Sequence, residues 1–244
     1  MLEIDNIYYS IGEQIILDGL SLKARSGDRV GIIGPNGSGK TTLFNCLSGF
    51  NSPSTGKISF GETEVLKYSP SSRANLGFGR LFQNFGIFRE MTVEENILIA
   101  LESKNTSFLE KLFRSRRKFR PKVEYYLSQI GLEDKINDKA GSLSGGQLRL
   151  LEIIRLIAFG AKLFLLDEPT AGVSPKMKSQ ILKALKNLIP SEAIVLLIEH
   201  DINFMQDFCD RVVVLDMGKV VIEGPIGEVR GDSRLQEIYF GSKE

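Results

Sequence analysis

Apolar and polar positions change their period several times along this chain. Residues from Leu2 to about Ala24 alternate, with Gly12 between two runs, which predicts short strands joined by a turn. Val30-Gly31-Ile32-Ile33 is a continuous apolar run and predicts a buried strand; Thr42-Leu43-Phe44-Asn45-Cys46-Leu47 predicts the helix that follows it. Lys57 to Phe60 reads as a further strand behind a turn at Pro53–Gly56. From about Val93 to Gly131 the pattern is helical, interrupted by a polar, basic stretch near Ser103 to Pro121, and a helix from Leu148 to Ala158 follows. Leu163–Leu166, Ala193–Ile198 and Val212–Leu215 are apolar runs separated by helical stretches, one from about Pro175 to Leu188 and one ending at Phe208. Apolar strands alternating with helices predict the α/β class with a mostly parallel sheet, here with an N-terminal antiparallel β subdomain and an inserted α-helical subdomain.

Composition narrows this picture without redirecting it. With 244 residues, 42% of them hydrophobic, the chain can bury a substantial core in one domain of two lobes. A formal net charge of +1 gives no bulk attraction to nucleic acid. The longest apolar runs are too short to span a bilayer, and the N-terminus lacks the basic-then-apolar plan of a signal peptide. Two cysteines, Cys46 and Cys209, suit a reducing compartment. Together these features predict a soluble intracellular chain whose membrane role, if it has one, comes through a partner.

The candidate chemistry begins at Gly34-Pro35-Asn36-Gly37-Ser38-Gly39-Lys40-Thr41, which fits G-x-x-x-x-G-K-[ST] between a predicted strand and a predicted helix. The glycines let successive backbone N–H groups face one concavity, and the helix N-terminus adds partial positive charge. Lys40 can reach the β- and γ-phosphates of a nucleotide, and the Thr41 hydroxyl can ligate Mg²⁺. These features identify a P-loop NTPase core. Downstream, the strand Leu163–Leu166 ends in Asp167-Glu168-Pro169. An acid at such a strand end helps to hold Mg²⁺, which suits Asp167; Glu168 is placed to polarise a water attacking the γ-phosphate. Leu143-Ser144-Gly145-Gly146-Gln147 opens a further helix and forms a second anion-binding surface. One site does not need two phosphate cradles, so the second is expected to complete the site of a partner.

With these motifs the chain resembles, over essentially its whole length, the ATPase subunit of an ABC transporter. The resemblance implies ATP and Mg²⁺ as cofactors. It makes residues 1–85 and 160–244 the nucleotide-binding lobe with its β subdomain, and 86–159 the helical signature subdomain. It implies further roles for single residues. Thr42 hydrogen-bonds the α-phosphate. Gln83, in Leu81-Phe82-Gln83-Asn84, senses Mg²⁺ and links the lobes. His200, in Ile198-Glu199-His200-Asp201, is the switch histidine at the γ-phosphate. Ser144, Gly145, Gly146 and Gln147 belong to the signature that caps the nucleotide of a second chain.

Two positions depart from the family pattern. Ile11 stands where an aromatic residue usually stacks on adenine, which implies apolar packing and looser base discrimination, with Tyr9 on the same predicted strand face as the compensating ring. Ser174 replaces an aspartate common among relatives, implying differently wired communication across a dimer. The segment Phe88–Asn96, the run Leu151-Glu152-Ile153, the tail Ile238-Tyr239-Phe240-Gly241 and the basic insertion near Lys104 to Lys122 are similar to the ATPases of branched-chain amino-acid importers. Lipopolysaccharide-export ATPases share much of this, usually with a shorter middle segment. The insertion itself is read as a solvated helical face with its apolar side packed, the alternative being an amphipathic segment that lies near anionic headgroups or a membrane subunit.

The implied partners are a homodimer or a heterodimer with a paralogous ATPase, and transmembrane permease subunits; no nucleic-acid partner is expected. The implied location is cytoplasmic, peripheral on the cytoplasmic face of the inner (plasma) membrane. A soluble, non-transport ABC ATPase is the alternative, although such proteins usually carry two modules or a long coiled coil, and this chain has one module and no such heptad run.

Overall fold

The computed structural model describes the backbone of residues 1–82, 86–102 and 108–240, and their side chains apart from 108–116, 236–237 and 239–240. The N-terminal alternation becomes an antiparallel sheet. β1 (Leu2–Ile11) pairs with β2 (Gln14–Ala24) on one side and on the other with β4 (Thr55–Phe60), which in turn pairs with the two-residue β5 (Thr63–Glu64). The alternation of β1 is broken by register shifts at Ile4/Ile7, Ile7/Tyr9 and Tyr9/Ser10, where Asn6 has φ 47°. Such irregularities switch which face the following residues occupy. Tyr9 packs against the core while Ile11 is 62% exposed. Between Tyr9 and Ile11 the extra residue lies on β2, at Ile16, and β1 itself runs on without one.

The apolar runs form a second sheet in the order β10 (Lys219–Gly224), β9 (Arg211–Asp216), β3 (Arg29–Ile33), β8 (Ile194–Ile198), β7 (Leu163–Asp167) and β6 (Phe78–Leu81). β9, β3, β8 and β7 run parallel, and β10 turns back antiparallel on β9. β7 and β8 are buried at every position, as expected of parallel strands covered on both faces. Val30, Ile32, Leu165 and Leu196 share one core with Leu2, Ile4 and Leu20 of the first sheet.

α1 (Lys40–Ser48) buries Leu43, Phe44 and Leu47 in that core. Its C-terminal carbonyls are met by Arg73 of α2 (Pro70–Leu76), a helix the sequence reading did not place. Arg73 is 1% exposed and donates to the carbonyls of Cys46 and Leu47. A cation there also complements the negative end of the helix dipole. α7 (Ile202–Phe208), α8 (Ile226–Gly231) and α9 (Ser233–Phe240) complete this part of the chain.

Contacts divide the chain into two compact units. The first comprises Met1–Arg80, Lys162–Glu168 and Ser191–Glu244, and the second Leu81–Ala161 and Pro169–Pro190. The second unit is helical: α3 (Val93–Glu102) packs on α4 (Phe108–Ser128) and α5 (Gly145–Phe159), and α5 packs on α6 (Pro175–Leu188). The basic stretch read as an interruption is itself largely helix, since α4 runs unbroken through Pro121. Proline removes one backbone donor, but Val123, Tyr126 and Leu127 behind it are buried and hold the helix in place. Residues 103–107 of the insertion lie outside the described residues. Among the described residues, no helix is long and apolar enough to cross a membrane.

Both cysteines are free and buried, and burial pushes each thiol up to about 12. In the native protein neither should react with a disulfide reagent at pH 8, and two thiols should titrate once the chain is unfolded. Each folded-state value lies above that of the unfolded chain, so the native state holds more protons above pH ~9 and its stability should fall as pH rises through that range. Urea titrations at pH 7, 9 and 10.5 check the sign.

Candidate nucleotide site

The parallel strands bring the predicted motifs to one edge of the sheet. β8 lies between β3 and β7, with Ile32 opposite Ile198 and Ile198 opposite Asp167. The segments leaving β3, β7 and β8 are the Gly34–Lys40 loop, Asp167-Glu168 and Glu199-His200. The carboxyl ends of parallel strands are where open α/β sheets place their ligands.

The loop is fixed from behind. At Gly34, φ is 154°, and a Cβ would lie 2.1 Å from the carbonyl oxygen of Leu215. Only glycine allows β9 to support the loop so closely. Gly218, in the turn between β9 and β10, donates its N–H to the Ser38 carbonyl at 3.1 Å and accepts from the Asp18 N–H at 3.1 Å. Its φ is +78°, and a Cβ there would lie 2.5 Å from the Ile16 carbonyl oxygen. Gly218 thus ties the loop to β2, a role that nothing local in its sequence announces. Pro35 supplies the carbonyl that accepts the Ser38 N–H, and Ser38 is 2% exposed. Asn36 and Gly37 form the exposed tip, and Gly39 is the left-handed cap of α1. α1 starts with no side-chain cap and no acidic residue in its first turn. Its N-terminal donors and dipole are therefore directed at whatever anion the loop receives.

Lys40 is 8% exposed and donates to the Gly34 and Pro35 carbonyls, each at 2.8 Å. Burial lowers its pKa, and the nearby charges of Glu168 and Asp167 pull it part of the way back. Thr41 is exposed at the start of α1, and Thr42 is half-buried beside it.

Asp167 is 2% exposed and pairs with Arg80 at 3.0 Å. Glu168 has φ 48°, an uncommon value for a non-glycine residue. Its N–H still extends the strand pairing, donating to the Ile198 carbonyl at 2.9 Å, while its side chain turns to meet His200, with Nε2 and Oε1 3.0 Å apart. Strain of this kind concentrates where a side chain must be aimed. Glu199, to which the sequence reading gave no role, is 4% exposed and accepts from the backbone N–H of His200 at 2.9 Å, fixing the turn that presents the imidazole.

Among the described residues, no cluster of three or more His, Cys, Asp or Glu could hold a metal by itself. Mg²⁺ commonly takes one or two carboxylates together with substrate phosphates and water. The Thr41 hydroxyl and the Asp167 carboxylate are hard oxygen donors of that kind. Ile11, paired with Gln14 at the end of the β1–β2 hairpin, offers an exposed apolar side chain, with Ile15 60% exposed nearby.

In the helical unit, Ser144 caps α5 in a reciprocal box. Its Oγ accepts from the Gln147 N–H at 3.4 Å, and the Gln147 Oε1 accepts from the Ser144 N–H at 3.0 Å. Both side chains expected at a nucleotide are thus engaged in capping, which leaves the helix dipole and the exposed Gly145 for the ligand. A Cβ on Gly145 would meet nothing within 4 Å, whereas one on Gly146 would lie 2.9 Å from Met177 Cγ of α6. Gly146 is therefore also required by packing. Ser174 caps α6, accepting from the Met177 N–H at 3.3 Å, so this departure from the family pattern retains an N-cap. Gln83 lies outside the described residues. The residues flanking its segment are tied to α5: the Phe82 carbonyl accepts from Arg149 at 2.8 Å and the Gly86 N–H donates to Glu152 at 3.1 Å. Burial raises the pKa of Glu152, against the opposing pull of the Gly86 N–H and Arg149.

Residues 17–171 match a family model described as ABC transporter. The high-affinity branched-chain amino acid transport ATP-binding protein BraF of Pseudomonas aeruginosa is 37% identical over 250 residues, covering 99% of this chain and 98% of that protein. The lipopolysaccharide export system ATP-binding protein LptB of Acidithiobacillus ferridurans is 30% identical, covering 100% and 98%. A crystal structure of the ADP conformation of an ATP-binding cassette of an ABC transporter aligns with a TM-score of 0.85 at 34% identity, over 99% of both chains. A dimeric cassette in a post-hydrolysis state, bound to ADP and Pi, aligns at 0.77 with 28% identity, over 93% of this chain and 99% of that one.

The support that Gly218 gives the loop is testable at a distance from any nucleotide. Gly218→Ala should cost on the order of 1–3 kcal/mol in urea denaturation and should lower nucleotide affinity with it. Wild-type affinity at reduced stability would separate the turn from the loop.

Proposed function

The chain belongs to the ABC transporter family and is an ATP-binding cassette ATPase; from that premise we propose that it powers solute import of the branched-chain amino-acid type. The observation that carries the catalytic part is the placement of Glu168, turned by its positive φ onto His200 beside the buried Asp167. The import reading rests on the full-length similarity to BraF and on the insertion and tail shared with that branch. Similarity to LptB keeps export of a lipopolysaccharide as the second reading.

In this reading the backbone of Gly34–Thr42 and the Lys40 ammonium bind the phosphates of ATP, with Ile11 against the base. Lys40 moves from the Gly34 and Pro35 carbonyls onto the β- and γ-phosphates. Thr41 and Asp167 would hold Mg²⁺, and Gln83 would be a further ligand. The metal supplies neutralisation of charge on the phosphate oxygens. Glu168 polarises the attacking water and takes up its proton as the bond from the γ-phosphorus to ADP breaks. His200 keeps Glu168 aimed and contacts the γ-phosphate. Ser144, Gly145, Gly146 and Gln147 of a second copy, or of a paralogue, cap the same nucleotide in a head-to-tail dimer. ATP favours the closed dimer and hydrolysis releases it. The segment from Gln83 to Asn96 passes that change to a permease subunit at the cytoplasmic face of the membrane.

Glu168→Gln should lower turnover by about 100-fold or more while retaining ATP, and should give a dimer in light scattering only when ATP is present. Normal turnover in this variant would remove Glu168 from the role of base. Gly145→Arg, introduced in the Glu168→Gln background, keeps the Ser144–Gln147 cap and should leave the protein monomeric with unchanged nucleotide affinity. An ATP-dependent dimer in that double variant would refute capping by the signature. Deleting the gene should abolish uptake of labelled leucine, isoleucine and valine. Intact uptake with loss of surface lipopolysaccharide would select the export reading.

A further inference from the structure

β6 is a short strand whose Phe78 and Leu81 are buried, yet it carries a charged residue, Arg80, between them. Its guanidinium makes contacts on two sides. Nη2 donates to Oδ2 of Asp167 at 3.0 Å, in a pair whose side chains are 8% and 2% exposed. Nη1 donates to Asn45 Oδ1 at 2.7 Å and to Ser48 Oγ at 3.3 Å, both on α1, and the group lies 5.8 Å from the centre of the Phe44 ring. Thr41, Asn45 and Ser48 are spaced i, i+4, i+7, so they share one face of α1. Arg80 therefore grips the helix face that begins with Thr41 and, with its other arm, the carboxylate at the end of β7.

We propose that Arg80 is a positioning residue for the metal site, bridging α1 to Asp167 so that the Thr41 hydroxyl and the Asp167 carboxylate are held in register. This rests on the reading that Thr41 and Asp167 are the protein's ligands to magnesium. A planar fork with several fixed donors can hold two partners at once; the single ammonium of a lysine is a point charge and cannot reproduce that bridge. Partners that orient metal ligands typically alter metal affinity or activity by 10–100-fold when removed. The hydrogen bonds of Arg80 to Asn45, Ser48 and Asp167 fall on the face that begins with Thr41 and on the strand-end carboxylate, so its loss is expected to act on the magnesium-dependent part of nucleotide binding.

The test is binding of a fluorescent N-methylanthraniloyl-ADP to the full chain, first in EDTA and then across a MgCl₂ titration. Arg80→Gln and Arg80→Lys should bind the analogue in EDTA as the wild type does, while the MgCl₂ concentration giving half of the magnesium-dependent gain rises about 10-fold. Asn45→Ala keeps the Arg80–Asp167 pair and loses one anchor on α1. It should shift the same midpoint in the same direction by less, and it decides the matter if the Arg80 variants do not fold. Wild-type behaviour of Arg80→Lys would show that charge alone matters and overturn the bridge. Equal losses with and without magnesium would reduce Arg80 to a structural residue. Asp167→Asn, measured alongside, separates the two layers of argument. If it leaves the midpoint unmoved, the metal-ligand reading falls and this proposal falls with it. If it moves the midpoint and the Arg80 and Asn45 variants do not, only the bridge is refuted.

Discussion

A loop that offers its backbone N–H groups to an anion has to be held by something other than those N–H groups. In this chain that support comes from behind and below. The Leu215 carbonyl lies where a Gly34 side chain would be, the Gly218 N–H holds the Ser38 carbonyl, and the Lys40 ammonium fastens to the Gly34 and Pro35 carbonyls. Three of the loop's carbonyls, those of Gly34, Pro35 and Ser38, are thereby engaged, and α1 begins without a side-chain cap. The buried ammonium is the costly part, because burial disfavours its charged form. Asp167 and Glu168 offset part of that cost from the end of β7, one strand beyond β8, which ties the phosphate cradle to the residues expected to act on the phosphate.

The acidic side of the site is organised by pairing. Asp167 is nearly inaccessible and is matched by Arg80 from the adjoining edge strand. Glu168 follows it in the chain, but its left-handed backbone sends the side chain to His200 instead. Adjacent carboxylates left together would repel each other and shift each other's titration. Here one is locked against a guanidinium and the other is left partly accessible beside an imidazole, so the two face different partners.

The helical unit answers a different demand. The signature has to present a bare helix N-terminus while the helix itself stays ordered. Ser144 and Gln147 satisfy each other's backbone donors, Gly146 lets Met177 approach, and Gly145 opens outward. Arg149 and Glu152, further along the same helix, bind the residues on either side of the segment that contains Gln83. Phe82 and Gly86 are thus held by the same helix that Ser144 caps.

The sequence by itself determined the chemistry and the class of fold. The G-x-x-x-x-G-K-[ST] run, the acidic pair after an apolar strand and the glycines at a helix start are local patterns whose spacing carries their meaning, and the alternation of strands with helices dictated an α/β sheet. Strand order could not be read locally. The interposition of β8 between β3 and β7 places His200 beside Glu168, and only pairing between distant segments decides it. The same holds for α6, which follows β7 in the chain but packs on α5, and for Tyr9, whose ring the irregular β1–β2 pairing brings against the core. Arg80, Arg73, Glu199 and Gly218 gave no motif, because each acts on a carbonyl, a carboxylate or a turn supplied by another part of the chain. The one local signal that could have found Arg80 is a lone charge between the apolar Phe78 and Leu81. Tertiary structure decided those roles for a physical reason: a buried charge or a positive φ is tolerated only where distant groups converge to meet it.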